Sequence, residues 1–336
     1  MEKNRDWRDS VNRLLRTILP TVVCLSFAGL AYGWEKPAYP VYLLETEPVM
    51  DGKVAGDIAW KKIPSATGFL RFGTQEFSAN QTSFKIGHTA KHIYAAIEVY
   101  DVNPLEFKKK DSLWKEDLVI EIFFAPRPGV FYQFAVTPFE QKWCMAKGAP
   151  EISVENWDVK SGAESDSCSL EIKMPLNIFS PKPAEGELWG LNVGRSDAPG
   201  KTDRYSCWSP VTEGFAETGK YRQMAFRGRL ADRTRDIEKM IDSNFYAFLK
   251  NASKAPGEKA LKEFPQYEQD LKRISGSGKH GDKVKQLITD MEEVKKAFAQ
   301  ADPDARALSF VVKNVPDIER RYEDLYFRFM LDSLFE

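Results

Sequence analysis

Trp114 stands at the head of an apolar run that carries three carboxylates at short intervals: Ser112 to Phe124 reads SLWKEDLVIEIFF, with Glu116, Asp117 and Glu121. Carboxyl groups can act as acid and base on a glycosidic bond, but only when they face each other across a cleft at a fixed separation. On an extended strand Asp117 and Glu121 share a face, and at about 3.3 Å per residue their Cα atoms stand about 13 Å apart. That is too far to flank one bond, so this pair is no acid/base couple. Nucleophilic chemistry is served no better. The histidines are His88, His92 and His280, and the first two flank a predicted hairpin turn, where a solvated polar residue is the ordinary occupant. Neither a G-x-S-x-G elbow nor an H-E-x-x-H metal signature is present. Binding suits the residues better. A pyranose has apolar C–H faces and a rim of hydroxyls, so holding one without reacting takes flat aromatic rings and a few fixed polar groups. Trp114 offers a ring, and Glu121, a charge inside an otherwise apolar strand, requires a partner to offset its desolvation.

The elements that position these residues follow from the apolar period. From about Val41 to Leu230 the pattern is that of strands. FKIGHTAKHIYAAIEVYD (Phe84–Asp101) gives two alternating runs joined at a Gly-His-Thr turn, and DLVIEIFFA, YQFAVTP, SCSLEIKMPL and LWGLNVGR give four more. Val, Ile, Phe, Tyr and Trp fill these runs and Gly, Pro, Asn and Asp punctuate them, which predicts a mainly β domain, an antiparallel β-sandwich over residues 38–230. Beyond Leu230 the period changes. DIEKMIDSNFYAFLKNA spaces Ile237, Met240, Ile241, Phe245, Phe248 and Leu249 at three- and four-residue steps, and three further segments read the same way, so residues 231–336 are expected to be a helical bundle or hairpins. Pro256, Pro265, Pro303 and Pro316 are expected to mark helix starts or kinks. The last segment, with Leu325, Tyr326, Phe329, Met330, Leu334 and Phe335, carries more apolar surface than a lone solvated helix tolerates, so it must pack on its own bundle, on the β domain or on a protein partner.

Composition narrows the partner. Among 336 residues, Lys plus Arg number 48 against 49 for Asp plus Glu, so no basic footprint recommends nucleic acid. At the N-terminus, basic residues precede the uncharged run TILPTVVCLSFAGLA, and the small-residue pattern AYG ends at Gly33. Residues 1–33 read as a signal peptide, which makes the chain secreted, periplasmic or held at the cell surface. The alternative, a retained anchor, fits less well because the run is short and contains Pro20. After that cut Cys144, Cys168 and Cys207 remain, an odd number without a C-x-x-C pair, so a zinc site is not expected; one disulfide and three half-buried thiols are both compatible with the spacing.

In order along the chain, DGKVAGDIAW, KHIYAAIEVYD, LWKEDLVIEIFF, YQFAVTP, SLEIKMPLNIF, LWGLNVGR and CWSPVTEGFAETGKYRQMAF resemble the family 9 carbohydrate-binding modules and their relatives, sugar-binding β-sandwiches of secreted bacterial proteins. The resemblance covers roughly residues 40–228. It implies a non-catalytic module that clamps a terminal sugar between two aromatic side chains. One of these matches Trp114; the other falls in the loop after CWSP, where Phe215 stands with Trp208 nearby. The strand acid of the family matches Glu121. Two departures stand out: the step from Trp114 to Glu121 is one residue longer than the family's, and Ala135 and Thr137 occupy the positions where sugar-binding members carry Arg and Asn. Thr137 and Arg195 are then the polar candidates, Arg195 being equally able to pair with an acid such as Glu121. Asp51 and Asp101, at turn and strand ends, are the candidate ligands for a structural calcium ion, as in some relatives.

The saccharide- or polysaccharide-binding reading has two competitors. Related sandwiches hold haem b, for which Met145 or Met174 would be drafted, although no histidine lies on a core strand beside them. A scaffold with a vestigial sugar site, working through protein contacts of the C-terminal helices, is the other.

Overall fold

The computed structural model describes residues 37–336 apart from 165, 202, 231–233, 277–279 and 335–336. The expected signal peptide and Cys24 lie outside the described residues. Twelve strands run through the first two thirds of the described chain: β1 (Tyr39–Leu43), β2 (Leu70–Arg71), β3 (Thr82–His88), β4 (His92–Tyr100), β5 (Leu118–Arg127), β6 (Val130–Val136), β7 (Lys142–Lys147), β8 (Asp158–Ala163), β9 (Ser167–Pro175), β10 (Leu188–Asp197), β11 (Tyr205–Cys207) and β12 (Arg222–Arg227). Their order is β7-β6-β5-β10-β12-β1-β3-β4-β9-β8, with β11 and β2 branching from β10. Two layers, β7-β6-β5-β10 and β3-β4-β9-β8, are therefore joined along one edge by β12 and β1. The sheet is mixed where antiparallel pairing was expected throughout: β1 runs parallel to both β12 and β3. The remaining pairings among these strands are antiparallel.

Alternation along the strands decides what each face does. Leu118, Ile120, Ile122 and Phe124 of β5 join Phe134 of β6, Leu191 and Val193 of β10, and Ile93, Ala95 and Ile97 of β4 in one buried core between the layers. Val119, Glu121, Phe123 and Ala125 must then occupy the opposite face of β5. The outer face of the β4 layer is sealed differently. Tyr94 and Ala96 are covered by Leu44, Val54, Trp60 and Ile63 from the segment that follows β1.

Four helices follow: α1 (Thr234–Ile241), α2 (Ser243–Gly276), α3 (Gly281–Phe298) and α4 (Ala305–Leu334). Of the four prolines expected to mark helix starts or kinks, Pro303 falls in the break before α4 and the other three lie inside helices. α2 runs through Pro256 and Pro265, and α4 through Pro316. An internal proline costs a helix about 3 kcal/mol, and the buried seam of Ala260, Phe264, Leu271, Leu287, Met291, Val311 and Ile318 among the three long helices offsets it. The bundle is tied to the β domain by polar contacts. Asp242, buried between α1 and α2, pairs with Arg222 of β12 (3.2 Å) and accepts from Thr67 N (2.7 Å). Lys313 of α4 pairs with Asp101. Among the described residues no helix is long and apolar enough to cross a membrane.

Candidate functional site

The register aligns one row of residues across the outer face of the first layer. Trp143 of β7 pairs with Ala135 of β6, Ala135 with Glu121 of β5, and Glu121 with Gly194 of β10. Three inter-strand spacings separate Trp143 from Gly194, about 14 Å across the sheet. Aromatic groups rise at both ends of this row. At the β7 end the Trp114 ring lies 5.3 Å from that of Trp143, their planes at 71°. Trp114 sits on a single 3-10 turn, Leu113–Lys115, ahead of β5, and is 49% exposed. At the β10 end the Phe215 ring lies directly over Gly194. A Cβ on Gly194 would stand 2.6 Å from that ring, so the glycine is what allows the phenyl to settle on the sheet. Phe72 and Tyr205 meet Phe215 edge-on, at 5.4 and 6.4 Å. The Phe215 carbonyl accepts from Asn192 Nδ2 (3.2 Å) and Tyr221 OH (2.8 Å), which fixes the loop that carries the ring.

The floor between these walls is polar. Glu121 is 8% exposed and its neighbours in the row, Ala135 and Gly194, are the two smallest side chains available. Gln133 Nε2 donates to Glu121 Oε2 at 2.6 Å. Burial pushes the Glu121 carboxyl up to about 7, against a smaller lowering by the Gln133 hydrogen bond. Arg195, one residue along β10, points into the core and does not offset this charge. Both its Nε and Nη2 donate to Asp197, each at 2.9 Å. Glu121 therefore has a single strong donor where a buried carboxylate ordinarily has several. It retains capacity to accept from hydroxyl groups and, near neutral pH, to donate to them.

The residues expected from the sequence thus separate. Trp114, Glu121 and Phe215 share one face. Trp208 does not join them: its ring is sealed beneath the Arg222 guanidinium at 3.6 Å and against Phe84 at 5.1 Å, so it has no surface to offer a sugar. Arg195 is in the core. Thr137 is buried where β6 ends in a turn, its Oγ1 accepting from Phe139 N (3.3 Å), and it cannot grip a ligand from there. Asp51 closes a turn on Lys53 N (2.9 Å), and Asp101 is engaged by Lys313. No group of three or more His, Cys, Asp or Glu suited to a metal ion occurs among the described residues. Of the residues considered for haem, Met174 lies in the core while His92, near it on the paired strand, faces the other way toward Tyr94. Cys144, Cys168 and Cys207 are free thiols.

Three contributors escaped the sequence reading: Trp143, Gln133 and Gly194. KWCMAK alternates, with Cys144 under the sheet, and that pattern alone could have placed Trp143 and Met145 on the outer face. In YQFAVTP the same alternation turns Gln133 outward beside Ala135, an amide four residues before Thr137, where one was sought.

No family model matches the chain, and no curated protein matches it. Among solved structures it is similar to a family 9 carbohydrate binding module from Caldicellulosiruptor kristjanssonii in complex with glucose, at 15% identity and a TM-score of 0.43 over 58% of this chain and 98% of that one. A structure of a family 9 module from the same organism in complex with cellotriose matches at 17% identity and a TM-score of 0.43, covering 57% and 95% of the two chains. A protein from Bacteroides uniformis ATCC 8492 matches at 15% identity and a TM-score of 0.44, covering 56% and 99%. The matched share of this chain falls short of its full length.

Proposed function

We propose that the chain is a non-catalytic carbohydrate-binding protein that holds a saccharide over Glu121, between the Trp114–Trp143 corner and Phe215. The observation that carries this reading is the row Trp143–Ala135–Glu121–Gly194, with aromatic rings at both ends and an under-satisfied carboxylate between them. Flat rings suit the C–H faces of a sugar, and Glu121 with Gln133 suits its hydroxyls. A hydrolase would require a second carboxyl facing Glu121. The two acids nearest in sequence are committed elsewhere: Asp117 to Lys110 Nζ (2.9 Å) and Glu116 to Lys110 N (2.6 Å). Export through residues 1–33, read from the basic start and the uncharged run that follows it, belongs to this proposal.

Tryptophan fluorescence during titration with mono- and oligosaccharides tests the reading. Saturable quenching is expected, and Trp114→Ala should weaken binding by about 1–3 kcal/mol, the range for a stacking aromatic anchor. Binding that survives this substitution unchanged places the site elsewhere.

A second reading, a scaffold acting through its helices, is favoured by Phe327, Met330 and Leu331, which lie exposed along α4. A complete failure to bind any saccharide would leave that reading standing.

A further inference from the structure

The two indoles at the β7 end meet at an angle, and the angle restricts what can lie on both. Their planes are 71° apart with centroids at 5.3 Å, which is a corner. Trp143 is held by its strand independently of Trp114. Its neighbours anchor β7 on either side: Lys142 Nζ donates to the Trp157 carbonyl, and Cys144 Sγ donates to Ile152 O at 3.4 Å. Both indoles retain open surface, Trp114 the more. The floor beyond them spans about 14 Å to Gly194, room for more than one sugar ring.

Aromatic faces engage the C–H faces of pyranoses. A ligand that uses both indoles must present successive ring faces turned steeply against each other. A β-1,4-linked ribbon keeps consecutive ring planes nearly parallel, so with one ring stacked on Trp114 the next offers Trp143 an edge. Linkages of the α-1,4 or β-1,3 type turn the chain from ring to ring. Resting on the reading of this groove as a saccharide site, we propose that Trp143 is a second aromatic platform and that the site selects oligosaccharides with turned linkages over flat β-1,4 chains and single sugars.

Calorimetric titration of the full chain with glucose, maltotriose, laminaritriose and cellotriose tests this. At least one turned trisaccharide should bind about tenfold or more tighter than glucose, the gain of one added stacking contact, while cellotriose stays near glucose. Trp143→Leu should remove that advantage, so that in the variant the turned trisaccharide binds within about threefold of glucose. Trp143→Phe, which keeps an aromatic ring on β7, should retain part of the advantage and guards against a folding defect in the leucine variant. Cellotriose binding as tightly as both turned trisaccharides overturns the proposal, as does an advantage that persists in Trp143→Leu. Failure of every sugar, glucose included, overturns the groove reading itself.

Discussion

Each layer of the sandwich carries a glutamate on the outer face of an inner strand and a tryptophan close by, and the two pairs are built to opposite ends. Glu171 of β9 is fully buried and receives three donors: Asp51 N (3.1 Å), Gly52 N (2.9 Å) and Trp60 Nε1 (2.9 Å). Gly52 holds φ +80°, and a Cβ there would stand 2.2 Å from Ser161 C, so only glycine brings this turn onto the carboxylate. Trp60 is sealed. On the other layer Glu121 has one donor, small neighbours and a half-exposed Trp114. A carboxylate whose acceptor sites are filled by its own chain fastens a loop to a sheet. One left with spare capacity at the base of an aromatic groove is available to a ligand.

The largest expected effect is on the sealed pair. Glu171→Ala leaves three buried donors without an acceptor, and at about 1–3 kcal/mol for each such group it should lower unfolding free energy by about 3 kcal/mol or more in urea denaturation. Glu121→Gln should act in the opposite direction. The folded-state pKa of Glu121, about 7, lies above its unfolded value of about 4.5. The folded protein therefore binds more protons in that interval, and wild-type stability falls as pH rises from about 4.5 to 7. Glutamine removes the titration, so at pH 8 the variant should be more stable by up to about 3 kcal/mol, at about 1.4 kcal/mol per pKa unit. Urea midpoints at pH 5 and pH 8 measure this, and parallel pH profiles for the two proteins would contradict it. The same variant should bind saccharide more weakly, which separates a ligand grip from a structural carboxylate. Gly194→Ala is the mildest test. It pushes the partly exposed Phe215 side chain aside without breaking the hydrogen bonds to its carbonyl, so stability should change by less than about 1 kcal/mol. Affinity should drop about tenfold, as for a misplaced aromatic anchor.

How much of this was legible in the sequence depends on how far apart the cooperating residues lie. The β3–β4 hairpin, β5, β6, β9 and β10 announce themselves by alternation, because each has one face against the same core. β8, DVKSGA, is a sheet edge with little apolar content, and β1 contains Pro40, so neither gives a clear period. The parallel pairing of β1 with β12 joins residues more than 180 positions apart with no local trace. Trp114, Glu121 and Phe215 were recognisable from residue type and motif. Trp143 and Gln133 become part of the site only through register across β5, β6 and β7, a non-local property. Thr137 misled because β6 ends at Val136 and the chain turns there, with a hydrogen bond from Glu140 N to Thr137 O (3.0 Å), so the outward alternation stops one residue too early. Arg195 and Trp208 misled for another reason. Both are polar-capable groups whose partners, Asp197 and Asp242, sit within the fold and draw them inward.

A crystal structure of the protein soaked with a saccharide that binds in solution measures directly where a bound sugar lies. The ligand is expected on the outer face of β5 and β6, with a pyranose face against Trp114, Phe215 on the opposite side and a hydroxyl within hydrogen-bond distance of Glu121. A sugar seated on any other surface, with Trp114 and Glu121 untouched, would contradict it.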